Sequence, residues 1–312
     1  MIQTVTGAIS ENFNKKVLIH EHVSCVSNDM LHAFGRKWLD ESELIERSVK
    51  IIASMKERYG LGMIVDGTPL DLGRNAKILK EISERSGVKI LASCGLYIYP
   101  SMISLSSSEK DLANIFLEET ENGLDKSDIK PGILKCATDN LGITEENERK
   151  IGALGRVQLK TGLPLYIHTL HQDNTVKKAL NILFDRGANP QKIIIGHFDE
   201  SCSFEYVCDL LKSGCYVCFD RRHYTDSYTG GVAKMLVRLN ERGYGDKLLV
   251  SNDTCIYSDF CSAGNKWLNF SEIPNTLGFV FDELKEKFCE YGGNIESYNK
   301  MLCENPLKVL NI

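Results

Sequence analysis

The chain has 312 residues, of which 43% are hydrophobic and 25% charged, and its formal net charge is −5. This balance, without a basic stretch, argues against nucleic acid and against an anionic membrane surface as partners. The opening residues MIQTVTGAISENFNKK lack the charged and apolar regions of an export signal, and no apolar run is long enough to cross a bilayer. We therefore expect a cytoplasmic protein whose partner is a small molecule. The sequence leaves the oligomeric state open, a homodimer included.

Eight short runs rich in Val, Ile and Leu recur along the chain. Continuous apolar runs of this length are typical of parallel strands buried on both faces. In chain order the runs are VLIH at 17–20, MIVD at 63–66, KILAS at 89–93, GILK at 132–135, PLYIH at 164–168, KIIIGH at 192–197, CYVCF at 215–219 and KLLVS at 247–251.

Longer segments between these runs, such as ESELIERSVKIIASMKERYG, have the apolar spacing of helices, and several end on Gly. Eight strand–helix units predict an α/β fold, a (β/α)8 barrel of the TIM type, because a doubly wound sheet usually has about five or six strands. We expect residues 1–312 to form a single barrel domain. Residues 279–310 predict two helices around Gly292 and Gly293, then a short turn at Asn305 and Pro306, which together close the barrel.

The chain has 11 cysteines. Their odd number, the length of the chain and the position of several of them in apolar runs favour reduced thiols over disulfides. Cys215 and Cys218 form a C-x-x-C motif within a predicted strand. Because strand residues three apart face opposite sides, core packing is favoured here over metal binding.

Polar residues that end the apolar runs are the candidates for chemistry, because the active site of a barrel enzyme forms at the carboxyl ends of its strands. They are His20, His22, Lys135, His168, His197 and Asp253. His20 and His22 are two apart on a strand, so both point into the barrel mouth and can hold one metal, while Glu21 points toward the helices. A lone histidine at a strand end is more often a hydrogen-bonded core residue, but four together with Asp253 favour a metal site.

Lys135 leaves two interpretations open, because an ammonium group has no lone pair for a cation. It either pairs with Asp253, or its amine, deprotonated by burial, has added carbon dioxide. The resulting carbamate has two oxygens and can bridge two divalent metals.

Eight segments carry a resemblance that covers nearly the whole chain: TVTGAI, LIHEHV, VDGTPLDLGRNAKILKEISERSGVKILASCGLY, ILKCAT, PLYIHT, IIIGHFDES, LLVSND and ENPLKVL. Together they resemble the phosphotriesterase family of the amidohydrolase superfamily, which includes phosphotriesterase-like lactonases and phosphotriesterase homology proteins. The resemblance implies a metal-dependent hydrolase that acts on ester bonds.

The resemblance also implies a two-metal centre. The more buried metal would be bound by His20, His22 and Asp253. The more exposed metal would be bound by His168 and His197. Lys135, as its carbamate, would bridge the two metals. Zinc is the expected metal, with manganese or cobalt as alternatives. A hydroxide bridging the metals would be the nucleophile, the exposed metal would polarise the substrate oxygen, and Asp253 would be the catalytic residue that takes the proton.

Four residues outside this set are expected to have supporting roles. Glu200 matches a position that relays a proton in some relatives, and a solvated or helix-capping carboxylate is the alternative. Asp66 and Thr68, after the second predicted strand, are expected to support the ligands. Arg74, in the motif GRNA, is expected to be structural.

The loops after the strands bear on the substrate. Tyr97 matches the tyrosine that some lactone-hydrolysing relatives hold against the substrate oxygen, and Tyr99 is the reserve candidate. The loop after the eighth strand, which holds Lys266 and Trp267, departs from the long apolar loop of relatives that hydrolyse acyl homoserine lactones.

A second loop, FDRRHYTDSY, follows the seventh predicted strand and contributes Arg221, Arg222, His223 and Tyr224. Paired arginines suit a carboxylate or a phosphate through bidentate hydrogen bonds, although a solvated charged loop is the alternative. We therefore favour a small polar lactone, a phosphorylated sugar lactone included, as the substrate. A phosphotriesterase or other amidohydrolase-type activity, and a catalytically silent metal-binding barrel, are the alternatives.

Overall fold

A computed structural model describes residues 1–10, 13–138, 142–169, 175–199, 201–221, 226–260, 267–273 and 276–311. Its strands are β1 Ile2–Thr4, β2 Gly7–Ile9, β3 Lys16–Cys25, β4 Leu61–Asp66, β5 Lys89–Gly95, β6 Ile133–Thr138, β7 Leu165–Thr169, β8 Ile193–Ile195, β9 Tyr216–Phe219, β10 Leu248–Val250 and β11 Cys255–Ser258. Strands β3 to β10 pair in chain order and in parallel. These eight strands coincide with the eight predicted runs.

The sheet closes on itself between the end of β10 and β3. Asp253 donates its backbone N–H to the carbonyl of His20 (3.1 Å), and the backbone N–H of His20 donates to Ser251 Oγ (3.0 Å). The predicted (β/α)8 barrel is therefore confirmed. Two features were not predicted: β1 and β2 form an antiparallel hairpin, and β11 adds to β3 in parallel beyond the closure.

The helices are α1 Asn28–Phe34, α2 Glu41–Tyr59, α3 Ala76–Ser86, α4 Met102–Ser106, α5 Glu109–Asn122, α6 Glu145–Thr161, α7 Thr175–Asp185, α8 Phe204–Lys212, α9 Asp226–Leu239, α10 Glu283–Glu290, α11 Ile295–Leu302 and α12 Glu304–Leu310. Gly60 ends α2 and Gly87 ends α3, both in the left-handed conformation, as the glycine pattern predicts. Within the described segments, no helix has both the length and the apolar character that crossing a bilayer requires.

The end of the chain differs from its prediction. The expected short turn at Asn305 and Pro306 is the helix α12. Pro306 is compatible with this helix because it lies in the first turn, where a backbone N–H has no partner within the helix. Val309 and Leu310 reach into the barrel and pack in the same apolar cluster as Ile2, so the C-terminal helices close the barrel floor as expected.

Two apolar cores lie on the two sides of the sheet. The inner one fills the barrel below the strand ends, and the outer one lies between strands and helices. Cys218 belongs to the inner core and Cys215 to the outer one, as the strand period predicts for the C-x-x-C motif. All cysteines in the described part of the chain are free thiols.

Candidate active site

The carboxylate of Asp253 faces three imidazole rings at the carboxyl end of the barrel. Its Oδ1 lies 3.1 Å from His22 Nε2 and 3.5 Å from His20 Nε2, and its Oδ2 lies 3.6 Å from His197 Nε2. Strand β3 brings in the first two rings, because alternate residues share one face. His20, His22 and Asp253 are close enough together to share one metal ion.

Two further predicted residues complete this cluster. His168 Nδ1 lies 2.6 Å from His197 Nε2, and Lys135 Nζ lies 2.6 Å from His20 Nε2. The structure therefore brings all six predicted ligands together. Imidazole nitrogens and carboxylate oxygens at these separations form a donor set that suits zinc, manganese or cobalt.

Lys135 is almost fully buried, and this burial lowers the pKa of its ammonium group. Its Nζ also lies 4.4 Å from the centre of the Tyr166 ring. The hydrogen-bonding neighbour of Nζ is His20 rather than Asp253. An amine that burial shifts toward its neutral form is the species that can add carbon dioxide, so the residue fits a bridging carbamate.

The backbone is strained at two of the candidate ligands. His197 has a φ of 69° and Asp253 a φ of 51°, in the left-handed region that non-glycine residues rarely adopt. Strain of this kind persists only where the surrounding structure holds it, and it is concentrated at functional sites.

Asp220 is a buried site residue that the sequence reasoning missed. It directly follows β9, its Oδ2 lies 2.8 Å from His20 Nδ1, and its Oδ1 accepts the backbone N–H of His197 (2.7 Å). Tyr166 donates its hydroxyl to the same carboxylate. Burial raises the pKa of the Asp220 carboxyl group well above its usual range. Asp220 is the polar residue that directly follows the seventh apolar run, which is the same sequence signal that marks the candidate ligands.

Thr68 and Asp66 support His22, as expected. Thr68 Oγ1 lies 2.8 Å from His22 Nδ1. The Asp66 carboxylate accepts the backbone N–H groups of Thr68 (3.0 Å) and Val23 (2.8 Å), which fixes the end of β4 against β3. Because Thr68 contacts Nδ1 of His22 and leaves Nε2 toward Asp253, these contacts set the orientation of the His22 imidazole.

Glu21 was expected to point toward the helices, and this was wrong. Its carboxylate accepts hydrogen bonds from Ser251 Oγ (2.8 Å) and from the backbone N–H groups of Asn252 and Thr254 (both 2.9 Å). Burial raises the pKa of Glu21 to about 7. Closure of the barrel brings the end of β10 beside β3, so Glu21 holds the segment that carries Asp253.

A cavity of about 230 Å³ lies above the cluster. The described residues that line it are His22, Cys25, Leu72, Tyr97, Tyr99, Lys135, His168, Asp253, Cys255, Ser258 and Phe260. Tyr97 is positioned from two sides, because its backbone N–H donates to the Asp71 carboxylate (2.8 Å) and its carbonyl accepts from Lys150 Nζ (2.7 Å). Its hydroxyl lies 2.9 Å from His168 Nε2.

The structure describes only some of the residues that were predicted to lie at the rim of the site. Arg221 follows β9 and is half-buried, but it is not among the described residues that line the cavity. Arg222, His223, Tyr224, Glu200 and Lys266 lie outside the described residues. Trp267 packs edge-on against Tyr257, with the ring centres 4.7 Å apart.

Imidazoles and a carboxylate gathered at the carboxyl end of a parallel barrel define a candidate metal-dependent hydrolase. A model of the phosphotriesterase family matches residues 1–310, and the chain belongs to that family.

Curated relatives cover nearly the whole chain. An aryldialkylphosphatase of Saccharolobus solfataricus is 26% identical over 295 residues, 93% of each chain. A phosphotriesterase homology protein of Mycobacterium tuberculosis is 27% identical over 320 residues, 99% of this chain and 97% of that protein. An N-acetyltaurine hydrolase of Dictyostelium discoideum is 25% identical over 315 residues, 95% of this chain and 81% of that protein. Relatives whose names indicate different substrates match nearly the whole chain, so the substrate must be argued from the site.

Proposed function

We propose that the chain hydrolyses a small polar lactone or ester at a centre of two divalent metal ions, with zinc as the expected metal. One observation carries the proposal: three imidazoles converge on the Asp253 carboxylate at the floor of a cavity, beside the buried Lys135. The six candidate ligands would be His20, His22, Lys135 as its carbamate, His168, His197 and Asp253.

The residues of the site would have different roles in catalysis. Bound divalent metals would supply an acidified water and a polarised substrate carbonyl. Asp253, which faces the three imidazoles and borders the cavity, would orient that water and accept its proton. Tyr97, whose hydroxyl lies beside His168, would donate a hydrogen bond to the substrate oxygen.

The size of the cavity favours a small substrate. Sites for drug-sized ligands usually enclose about 300–1,000 Å³, whereas this cavity has about 230 Å³. The arginine pair after β9 would recognise a phosphate or carboxylate on the substrate, which favours a phosphorylated sugar lactone over a neutral triester. A neutral triester would offer these arginines no anionic group to pair with.

Hydrolysis of an N-acyl amide is the second candidate. It is favoured by the relatives named N-acetyltaurine hydrolase, of which the one from Xenopus tropicalis is 24% identical over 98% of this chain. Amide and lactone hydrolysis both proceed by attack of water on a carbonyl carbon, so the same cluster can serve either. Phosphotriester hydrolysis, the activity in the name of the Saccharolobus relative, is the third.

The test is proton release by zinc-loaded protein on paired sugar lactones, with and without a phosphate group. N-acetyltaurine and an aryl dialkyl phosphate are assayed beside them. Lys135→Ala is the key variant and the exposed Lys77→Ala its matched control. We expect the wild type and Lys77→Ala to hold two metals and to prefer the phosphorylated lactone, and Lys135→Ala to lose metal and activity. Full metal content and activity in Lys135→Ala would rule out the carbamate, and faster turnover of N-acetyltaurine would replace the lactone by the amide.

A further inference from the structure

Asp220 is one buried carboxylate that contacts both halves of the proposed metal centre. Its Oδ2 lies 2.8 Å from Nδ1 of His20, which belongs to the proposed buried subsite. Its Oδ1 accepts the backbone N–H of His197 (2.7 Å) and lies 3.1 Å from His197 Nδ1, in the proposed exposed subsite. Each of these rings is therefore held between Asp220 on its Nδ1 side and Asp253 on its Nε2 side.

We propose that Asp220 is a positioning residue shared by the two metal subsites. It contacts Nδ1 of His20 and accepts the backbone N–H of His197, so that Nε2 of both rings points toward Asp253 and the metals. A carboxylate behind a metal-binding histidine fixes its tautomer and its orientation. Because one carboxylate serves both rings, the two metal ions are bound as a pair. The inference rests on the proposed two-metal function.

The contacts of Asp220 argue against its being a metal ligand itself. Its oxygens already accept from the Tyr166 hydroxyl and from the backbone N–H of His197, in addition to facing His20. Lys135 approaches His20 from the opposite side, at Nε2. His20, His197 and Asp220 are also close enough together to hold one ion. However, Asp220 meets His20 at Nδ1, whereas Asp253 meets it at Nε2, on the side of the other candidate ligands. We therefore place Asp220 behind the rings rather than among the ligands.

Tyr166 and two glycines constrain the same arrangement. The Tyr166 ring lies 4.3 Å from the His20 ring, and its hydroxyl reaches Asp220. A Cβ atom at Gly196 would overlap that hydroxyl, and a Cβ at Gly67 would lie 2.6 Å from Cδ2 of the His20 ring. A side chain at either glycine would therefore crowd Tyr166 or His20, and Asp220 adds the polar contact at Nδ1 of the His20 ring.

The test compares metal binding by Asp220→Asn, Tyr166→Phe and the wild type. Asparagine keeps the shape of Asp220 but can accept at only one of its two terminal atoms. Tyr166→Phe removes one donor to Asp220 and leaves both histidine contacts, so it is the matched control in the same pocket. The exposed Asp246→Asn controls for loss of an acidic residue. Zinc per chain is measured by mass spectrometry after dialysis, and zinc affinity by competition with a chelating dye.

We expect Asp220→Asn to weaken zinc binding by roughly 10–100-fold and to lose both ions together, with a smaller effect in Tyr166→Phe and none in Asp246→Asn. Wild-type affinity in Asp220→Asn, or loss of one ion while the other stays tightly bound, would overturn the inference. A wild type that binds no metal would instead overturn the proposed function, and the inference with it.

A second measurement uses the wild type, so it does not depend on the folding of a variant. Long-range proton–nitrogen NMR of the zinc-loaded protein reports which ring nitrogen of each histidine carries the proton. We expect His20 to be protonated at Nδ1, the nitrogen that faces Asp220. Protonation of His20 at Nε2 would contradict the proposed role of Asp220.

Discussion

Replacement of Arg74 by methionine tests the buried ion network behind the cavity. The Arg74 side chain is fully buried, and its guanidinium donates to the carboxylates of Glu119 and Asp125 and to the carbonyl of Ser93 (3.0 Å). Methionine keeps much of the apolar stem but leaves both carboxylates without their partner. Removing one partner of a buried ion pair costs about 3–5 kcal/mol.

The structure sets the magnitude within this range. Glu119 and Asp125 are 15% and 18% exposed, so water reaches both after the substitution, and we expect a loss near the lower end, about 3 kcal/mol. For a chain of this size that corresponds to a fall in melting temperature of about 5 °C. Urea unfolding followed by tryptophan fluorescence measures the free energy, and calorimetry the melting temperature.

Arg85→Met is the matched control. Arg85 also contacts two carboxylates, those of Glu46 and Glu81, but its side chain is 38% exposed. Exposed pairs contribute below about 1 kcal/mol. Equal losses of stability in the two variants would refute the reasoning, because burial of the network would then carry no extra free energy.

Three further predictions concern Tyr97 and the two residues that hold it. Tyr97→Phe keeps the ring and removes the hydroxyl beside His168. We expect kcat/KM for the hydrolysed substrate to fall about tenfold while the metal content stays unchanged. An unaltered kcat/KM would exclude a contact between this hydroxyl and the substrate. Lys150→Met removes the donor to the carbonyls of Tyr97 (2.7 Å) and Ile98 (3.2 Å). Steady-state kinetics should therefore show a several-fold loss of kcat/KM, again with the metal content unchanged. Burial raises the pKa of Asp71 from 3.8 to about 6. The folded state therefore binds this proton more tightly than the unfolded state does. As a result, the contribution of Asp71 to the free energy of unfolding declines as the pH rises from about 4 to 6. Relative to Asp71→Asn, which does not titrate, the wild type should therefore lose up to about 3 kcal/mol between pH 3.5 and 7.5 in urea unfolding; a constant difference would contradict the shifted pKa.

Local residue patterns were sufficient to predict the barrel and the residues that meet at its mouth. Eight apolar runs each became a strand of the barrel, and glycine ended helices such as α2 and α3. Because the carboxyl ends of parallel barrel strands meet at one rim, residues that end different runs, such as His20, His168 and Asp253, could be expected to converge. These features depend on the period and chemistry of short segments, which can be read without knowledge of distant contacts.

Only the tertiary structure decided which side chains support the cluster. Asp220 and His20 are 200 residues apart, and Glu21 meets Asn252 only because the barrel closes. Strand β11 and its pairing with β3 also follow from that closure. The sequence does not distinguish a carboxylate that binds a metal from one that contacts the Nδ1 side of a metal-binding imidazole, because both follow an apolar run. The role of such a carboxylate depends on which atoms approach it across the barrel, and the folded backbone sets those distances.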